Sequence, residues 1–377
     1  MSTPFIDLNA QYRQIEEEVR SNIDRVLSHG QFIMGPEVKE LEDALARFVG
    51  VKHAISCSSG TDALLMPLMA YGVGPGDAVF TTTFTFVATA EVVSLLGATP
   101  VFVDIDSRTF NIAPESLAAA IEQTRASGAL RPRGVITVDL FGLPADFDAI
   151  RPIAAAHGLF VLEDAAQSFG ATYKGRNVGT LGDVAATSFF PAKPLGCYGD
   201  GGAIFTDDDD LAARLKSIRV HGQGSDKYNN VRIGINGRLD TLQAAILLPK
   251  LGIFPRELEM RQTVAKRYSA GLGNVVETPY VPEESTSAWA QYSVLTNDRA
   301  GVQGALKEAG IPTAIYYPKP LHRQDAYAHL LPEEARYPNS EAAAERILSL
   351  PFHPYLDEGT QRTIIDTVRK AIESSQS

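Results

Sequence analysis

From about residue 50 the chain alternates short runs rich in β-branched and aromatic residues with stretches of helical periodicity. HAISC precedes GTDALLMPLMAYG, AVFTTTF precedes VATAEVVSLLG, and TPVFVDI precedes PESLAAAIEQT. This alternation predicts parallel strands joined by crossover helices. It continues through GVITVDLFG, DFDAIRPIAAAHG and LFVLEDAAQSFG. Two β-type runs, VAATSFF and GGAIFT, follow with a loop between them, and then the helical DDLAARLKSIRVHG. Residues 239–272 read as helix, with a break predicted at Pro249 and Pro255, because proline removes a donor and crowds the preceding turn. Beyond it, SAWAQYSVLT, RAGVQGALKEAG, TAIYYPKPL and EGTQRTIIDTVRKAIESS predict a smaller α/β unit. The expected division is a large domain over residues 1–255 and a small one over 256–377. The N-terminal helix, about residues 10–28, is free to pack with the small domain.

Composition narrows the function. With 45% hydrophobic and 21% charged residues the chain has the balance of a soluble globular protein. A formal net charge of -11 repels nucleic acid and anionic membrane, so any anionic ligand must be held by local donors. Apolar runs such as Leu242–Leu248 fall far short of the roughly 20 residues that span a bilayer. The opening MSTPFIDLNAQYRQ lacks the apolar stretch of a signal peptide, and a cytoplasmic enzyme is expected. Cys57 and Cys197 are too few for a disulfide framework and lack metal-site spacing, so no metal is expected.

The loop between the two β-type runs, within SFFPAKPLGCYGDGGAIF, contains one cation, Lys193. Aromatic neighbours and the glycines 196, 199, 201 and 202 set it apart from an ordinary surface lysine. Burial disfavours the charged form and yields a nucleophilic amine suited to imine formation. Pyridoxal phosphate also needs an acid facing its pyridinium nitrogen, donors for its phosphate and an apolar face for its ring. Asp164, at the carboxyl end of an apolar run, offers the acid, while alternation turns Glu163 to the other side. SSGTDAL follows a strand and opens a helix, so Gly60 and Thr61 offer amides to an anion, and Ser188 a hydroxyl. Phe86 offers a ring face. Each feature has an ordinary counterpart: a strand-end Asp caps a helix, SSGTDAL is a common cap, and Phe86 suits a core.

Together SFFPAKPLGCYGDGGA, VLEDAAQSFGA, SSGTDALL, TFTFVATAEVV and NNVRIGINGRLDTLQAAIL resemble the DegT-type nucleotide-sugar aminotransferases, of the aspartate-aminotransferase-like fold (fold type I). The resemblance spans nearly the whole chain. It implies that Lys193 is joined covalently to pyridoxal 5'-phosphate and moves protons, that Asp164 pairs with the ring nitrogen, and that Gln167 lies near the ring oxygen. It further implies that Phe86 stacks on the ring, that Gly60, Thr61 and Ser188 hold the phosphate, and that the protein is a homodimer. Asn236 would then reach the phosphate in the neighbouring subunit. The implied reaction moves an amino group from glutamate to a nucleotide-linked ketosugar. C3 of a UDP-linked 2-acetamido-3-oxo-hexuronic acid for bacterial surface polysaccharide is the expected acceptor. A dTDP-linked ketohexose is the alternative, and a dehydratase or a non-enzymatic regulator on the same fold stands further off.

For that substrate the resemblance assigns Arg238 to a carboxylate, through a bidentate contact, although a salt bridge at a helix start is an equal reading. It assigns Met34, Gly35, Pro36, Tyr316, Tyr317 and His322 to the sugar-nucleotide cleft, although a packed or surface role is the commoner one for such a histidine.

Overall fold

The apolar runs become strands because both of their faces are covered. Asp77–Thr82 and Gly202–Thr206 are buried at every residue, as in α/β sheets with helices on each side. The computed structural model describes residues 3–226, 228–331 and 334–375. Its elements are α1 (Leu8–His29), α2 (Pro36–Val49), β1 (His53–Cys57), α3 (Gly60–Ala70), β2 (Asp77–Thr82), α4 (Ala88–Leu95), β3 (Thr99–Val103), α5 (Pro114–Ser127), β4 (Arg131–Val138), α6 (Phe147–Ala156) and β5 (Phe160–Asp164). Then come β6 (Thr172–Tyr173), β7 (Arg176–Asn177), β8 (Val184–Ser188), β9 (Gly202–Thr206), α7 (Asp209–Ile218) and α8 (Thr241–Leu272). Last are β10 (Ser285–Thr286), β11 (Tyr292–Leu295), α9 (Arg299–Glu308), α10 (Pro338–Arg346), β12 (Ile347–Leu350) and α11 (Glu358–Ser375).

The main sheet has the order β1-β9-β8-β5-β4-β2-β3. β9 runs antiparallel to both its neighbours, and the other pairings are parallel. The carboxyl ends of the remaining strands therefore meet at one edge, where β9 begins. This is the doubly wound α/β arrangement the alternation predicts. The edge is where such sheets place ligands.

A second core gathers the far half of α8 (Val264, Tyr268, Leu272), β11, β12, α9 and α11. The expected break at Pro249 and Pro255 is absent: α8 is continuous from Thr241 to Leu272 with both prolines inside it. Pro249 has no N–H for the carbonyl of Ala245, and the side-chain amide of Asn22 donates to that carbonyl at 3.1 Å instead. A donor from another helix thus satisfies the group that would otherwise favour a kink. The same contact explains where α1 lies. Its Ile15 and Val19 pack against Ile246, with Tyr198 and Ile253 beside them, along the first half of α8 rather than on the C-terminal core.

Candidate active site

At the carboxyl edge, Cα pairing sets Gly202 opposite both Cys57 and Ser188, so the ends of β1 and β8 flank it. A Cβ on Gly202 would overlap the Ser59 carbonyl, and one on Gly60 would lie 2.5 Å from Ser188 Cβ. Only glycine lets the start of α3 come this close to Ser188. Ser59 caps α3, its Oγ accepting from Asp62 N at 3.0 Å, and Ser58 Oγ donates to the Asp62 carboxylate. Gly60, Thr61 and Ser188 remain partly accessible, and the first-turn amides with the Ser188 hydroxyl form a notch suited to an anion.

Asp164 ends β5 and is buried, Oδ2 accepting from Thr89 Oγ1 at 2.8 Å and Oδ1 from Ala166 N at 3.2 Å. Burial raises its pKa, while Thr89, the Ala166 amide and the charge of Lys193 pull it back. Burial lowers the pKa of Lys193, and Asp164 opposes that shift. The two groups thus feel one another's charge, yet no ion pair joins them among the described residues. Glu163 faces the other way, accepting from the amides of Gly179 at 2.9 Å and Leu181 at 3.0 Å. No local pattern marks Thr89 for this contact, although it stands three residues after Phe86 in TFTFVATA.

Gln167 is buried beyond Asp164, its Oε1 accepting from Phe141 N at 2.8 Å and its Nε2 donating to Tyr317 Oη at 3.3 Å. Tyr317 lies with its ring centroid 6.4 Å from that of Phe86 and 5.8 Å from that of Tyr316. Phe86 is 54% exposed, leaving a face open. Lys193, Asp164, Gln167, Phe86, Ser188 and the α3 notch therefore share one edge, and Tyr317 reaches it from the C-terminal part.

Asn236 is exposed, and the carbonyl of the next residue, Gly237, accepts from Ser58 N at 3.1 Å, so this connection runs beside the notch. Arg238 is half-buried, and its Nε is buried with no protein partner among the described residues. Among the described residues no hydrogen bond joins Met34, Gly35 or Pro36 to Lys193, and they lie against the start of α8. Gly35 N donates to Thr241 Oγ1 at 3.0 Å, and Ile33 pairs with Asp240. Nor does His322 line an open cleft. Its ring is buried between Thr83 Oγ1, 2.8 Å from Nδ1, and Glu341, 3.0 Å from Nε2. With both nitrogens engaged, it ties the residue that follows β2 to α10. Cys197 is buried, and burial pushes its thiol up to about 11, consistent with the absence of any assigned chemistry.

An amine with a lowered pKa, a buried acid, an anion notch that a Cβ would fill and an open aromatic face fit pyridoxal phosphate. Comparison with known proteins agrees. The model of the DegT/DnrJ/EryC1/StrS aminotransferase family matches residues 13–369. The UDP-2-acetamido-2-deoxy-3-oxo-D-glucuronate aminotransferase of Pseudomonas aeruginosa is 54% identical over 361 residues, covering 96% of this chain and 98% of that protein. A DegT DnrJ EryC1 StrS aminotransferase from Brucella abortus superposes with a TM-score of 0.96 at 52% identity, covering 97% of this chain and 98% of that one. NtdA from Bacillus subtilis, solved with bound cofactor PMP, superposes with a TM-score of 0.88 at 28% identity, covering 98% and 83%. Likeness over this much of the chain, added to the residues at the sheet edge, places the protein in the DegT/DnrJ/EryC1/StrS aminotransferase family, as a transaminase that uses pyridoxal phosphate.

Proposed function

We propose that the protein transfers an amino group from glutamate to C3 of UDP-2-acetamido-2-deoxy-3-oxo-hexuronic acid, in the cytoplasm, for bacterial surface polysaccharide such as O-antigen. The observation that carries this reading is the near-full-length identity of 54% to an enzyme named for that sugar. Arg238 supports it: a guanidinium nitrogen buried without a protein partner beside the notch suits a carboxylate, which both the hexuronate and glutamate possess.

Bound pyridoxal phosphate supplies an aldehyde that takes up the amino group and a ring that accepts the electrons of a broken C–H bond. Lys193 would hold that aldehyde, and its amine would take and return the proton at the donor's Cα. Asp164 keeps a proton on the ring nitrogen, with Thr89 orienting its carboxylate. Gln167 would lie by the ring oxygen, Phe86 would cover the ring, and Gly60, Thr61 and Ser188 would hold the phosphate. Tyr316 and Tyr317 border the sugar.

The protein acts as a homodimer in which Asn236 reaches the neighbouring subunit's phosphate. Exposed apolar side chains support this assembly, being concentrated at Phe32, Ile33 and Met34 and at Tyr228, Val231 and Ile233, which flank the Asn236 connection. In the dimer Met34, Gly35 and Pro36 then face the other subunit's cleft.

The test is turnover of a panel of nucleotide 3-keto and 4-keto sugars with glutamate, read by mass detection of the amino product. The UDP 3-keto hexuronate is expected to turn over best. Preference for a dTDP 4-keto hexose would overturn the substrate while leaving amino transfer intact.

A further inference from the structure

The turn that carries Lys193 is folded on itself. Lys193 N donates to Phe190 O at 2.9 Å, and Cys197 N donates to Phe189 O at 2.8 Å. A Cβ at Gly196 would lie 2.6 Å from the carbonyl oxygens of both Phe190 and Pro191. The position of Gly196 is therefore coupled directly to the two residues that lead into Lys193.

The Gly196 carbonyl is held in turn by Lys250 of α8, whose Nζ donates to it and lies 4.4 Å from the centroid of the Tyr198 ring. Lys250 is 1% exposed. Lysine is almost never this buried without a partner, and a desolvated ammonium carries a cost. No carboxylate forms an ion pair with it among the described residues. Glu257, on the same helix, accepts instead from Gln11 Nε2 at 2.9 Å and Tyr355 Oη at 2.6 Å. A leucine or methionine would fill this space without the desolvation cost. What the lysine adds is a donor to one carbonyl in the turn and a cation against one ring of it.

We infer that Lys250 is a positioning residue for Lys193, pinning Gly196 so that the turn presents the amine at the edge occupied by Asp164. The inference rests on the reading of Lys193 as the cofactor anchor. Lys250 touches neither substrate nor cofactor in this arrangement and acts through the turn alone.

The test uses Lys250→Met, which keeps bulk and removes the donor, and Lys250→Arg, which keeps a cationic donor. Hydrogen exchange is followed in the cofactor-free full chain. In the Met variant the amides of Lys193 and Cys197 are expected to exchange about tenfold faster, the scale of one lost charged hydrogen bond. Those of β4 and β5 should stay as in the native protein, and Arg should restore the protection. In the loaded protein, the pH midpoint of the visible absorbance band from the covalent link at Lys193 should shift in the Met variant and return with Arg. Unchanged exchange at Lys193 and Cys197, or faster exchange spread evenly over the sheet, overturns the proposal. Borohydride trapping and peptide mapping of the native protein separate the two readings. An unmodified Lys193 there removes the anchor reading, whereas the exchange result concerns Lys250 alone.

Discussion

Lys250 is buried and Lys193 partly so, and burial lowers the pKa of each, that of Lys250 to about 8. They differ in what compensates the burial. Lys250 has a carbonyl and an aromatic face, with the charge of Glu257 acting to keep it protonated. Lys193 has only the influence of Asp164 and no ion pair among the described residues. One lysine is committed to the protein, and the other is left free for a ligand. Burial alone thus does not mark a reactive amine; burial with an uncommitted nitrogen does.

The sharpest break of this comparison is Lys193→Ala. Amino transfer should fall by at least the roughly 100- to 10,000-fold that a positioned acid/base contributes, and borohydride should leave no cofactor on the chain. Retention of trapped cofactor at another lysine would show that Lys193 is not the free amine. Asp164→Asn comes next. Loss of the charge facing the ring should lower turnover on the order of 100-fold, the scale of one preorganised electrostatic contact. Steady-state kinetics with glutamate would record it.

Thr89→Val keeps the shape beside Asp164 and removes its 2.8 Å donor, so turnover with glutamate, measured by steady-state kinetics, should fall about tenfold. The last effect is on stability rather than turnover and concerns Lys250. Its folded pKa of about 8 lies below the unfolded value of 10.5, so between those pH values the unfolded chain binds more protons and stability rises with pH. Glu257 and Cys197 act in the opposite sense, keeping the proton on. Denaturant midpoints of the native protein, measured from pH 8 to pH 10.5, should therefore climb relative to Lys250→Met. Parallel curves would show that Lys250 does not titrate in this window.

Much of this site was legible in the chain because local rules govern it. β1 occupies the HAISC run, β8 and β9 lie inside the two runs flanking the lysine loop, and alternation correctly turned Glu163 away from Asp164. The glycines at 60 and 202 also fell where close backbone approach requires them. What escaped depends on partners remote in sequence. The continuity of α8 past Pro249 needs an amide 223 positions from the carbonyl it satisfies. His322 is held by Thr83, 239 positions away, so no local pattern reveals that both its nitrogens are engaged. Met34, Gly35 and Pro36 carry a recognisable motif, but a motif gives no position in space. Lys250 reads as one more polar residue on a helix until the Gly196 carbonyl is placed above it.

The donor from Asn22 to Ala245 has a mechanical consequence. A proline with an unsatisfied carbonyl behind it favours a joint, whereas the carbonyl behind Pro249 is satisfied and α8 runs unbroken for about 48 Å. Near one end Gln243 accepts from Tyr198 N in the lysine turn, and at the other Tyr268 and Leu272 are embedded in the C-terminal core. The C-terminal core and the lysine turn are thus joined through one continuous helix.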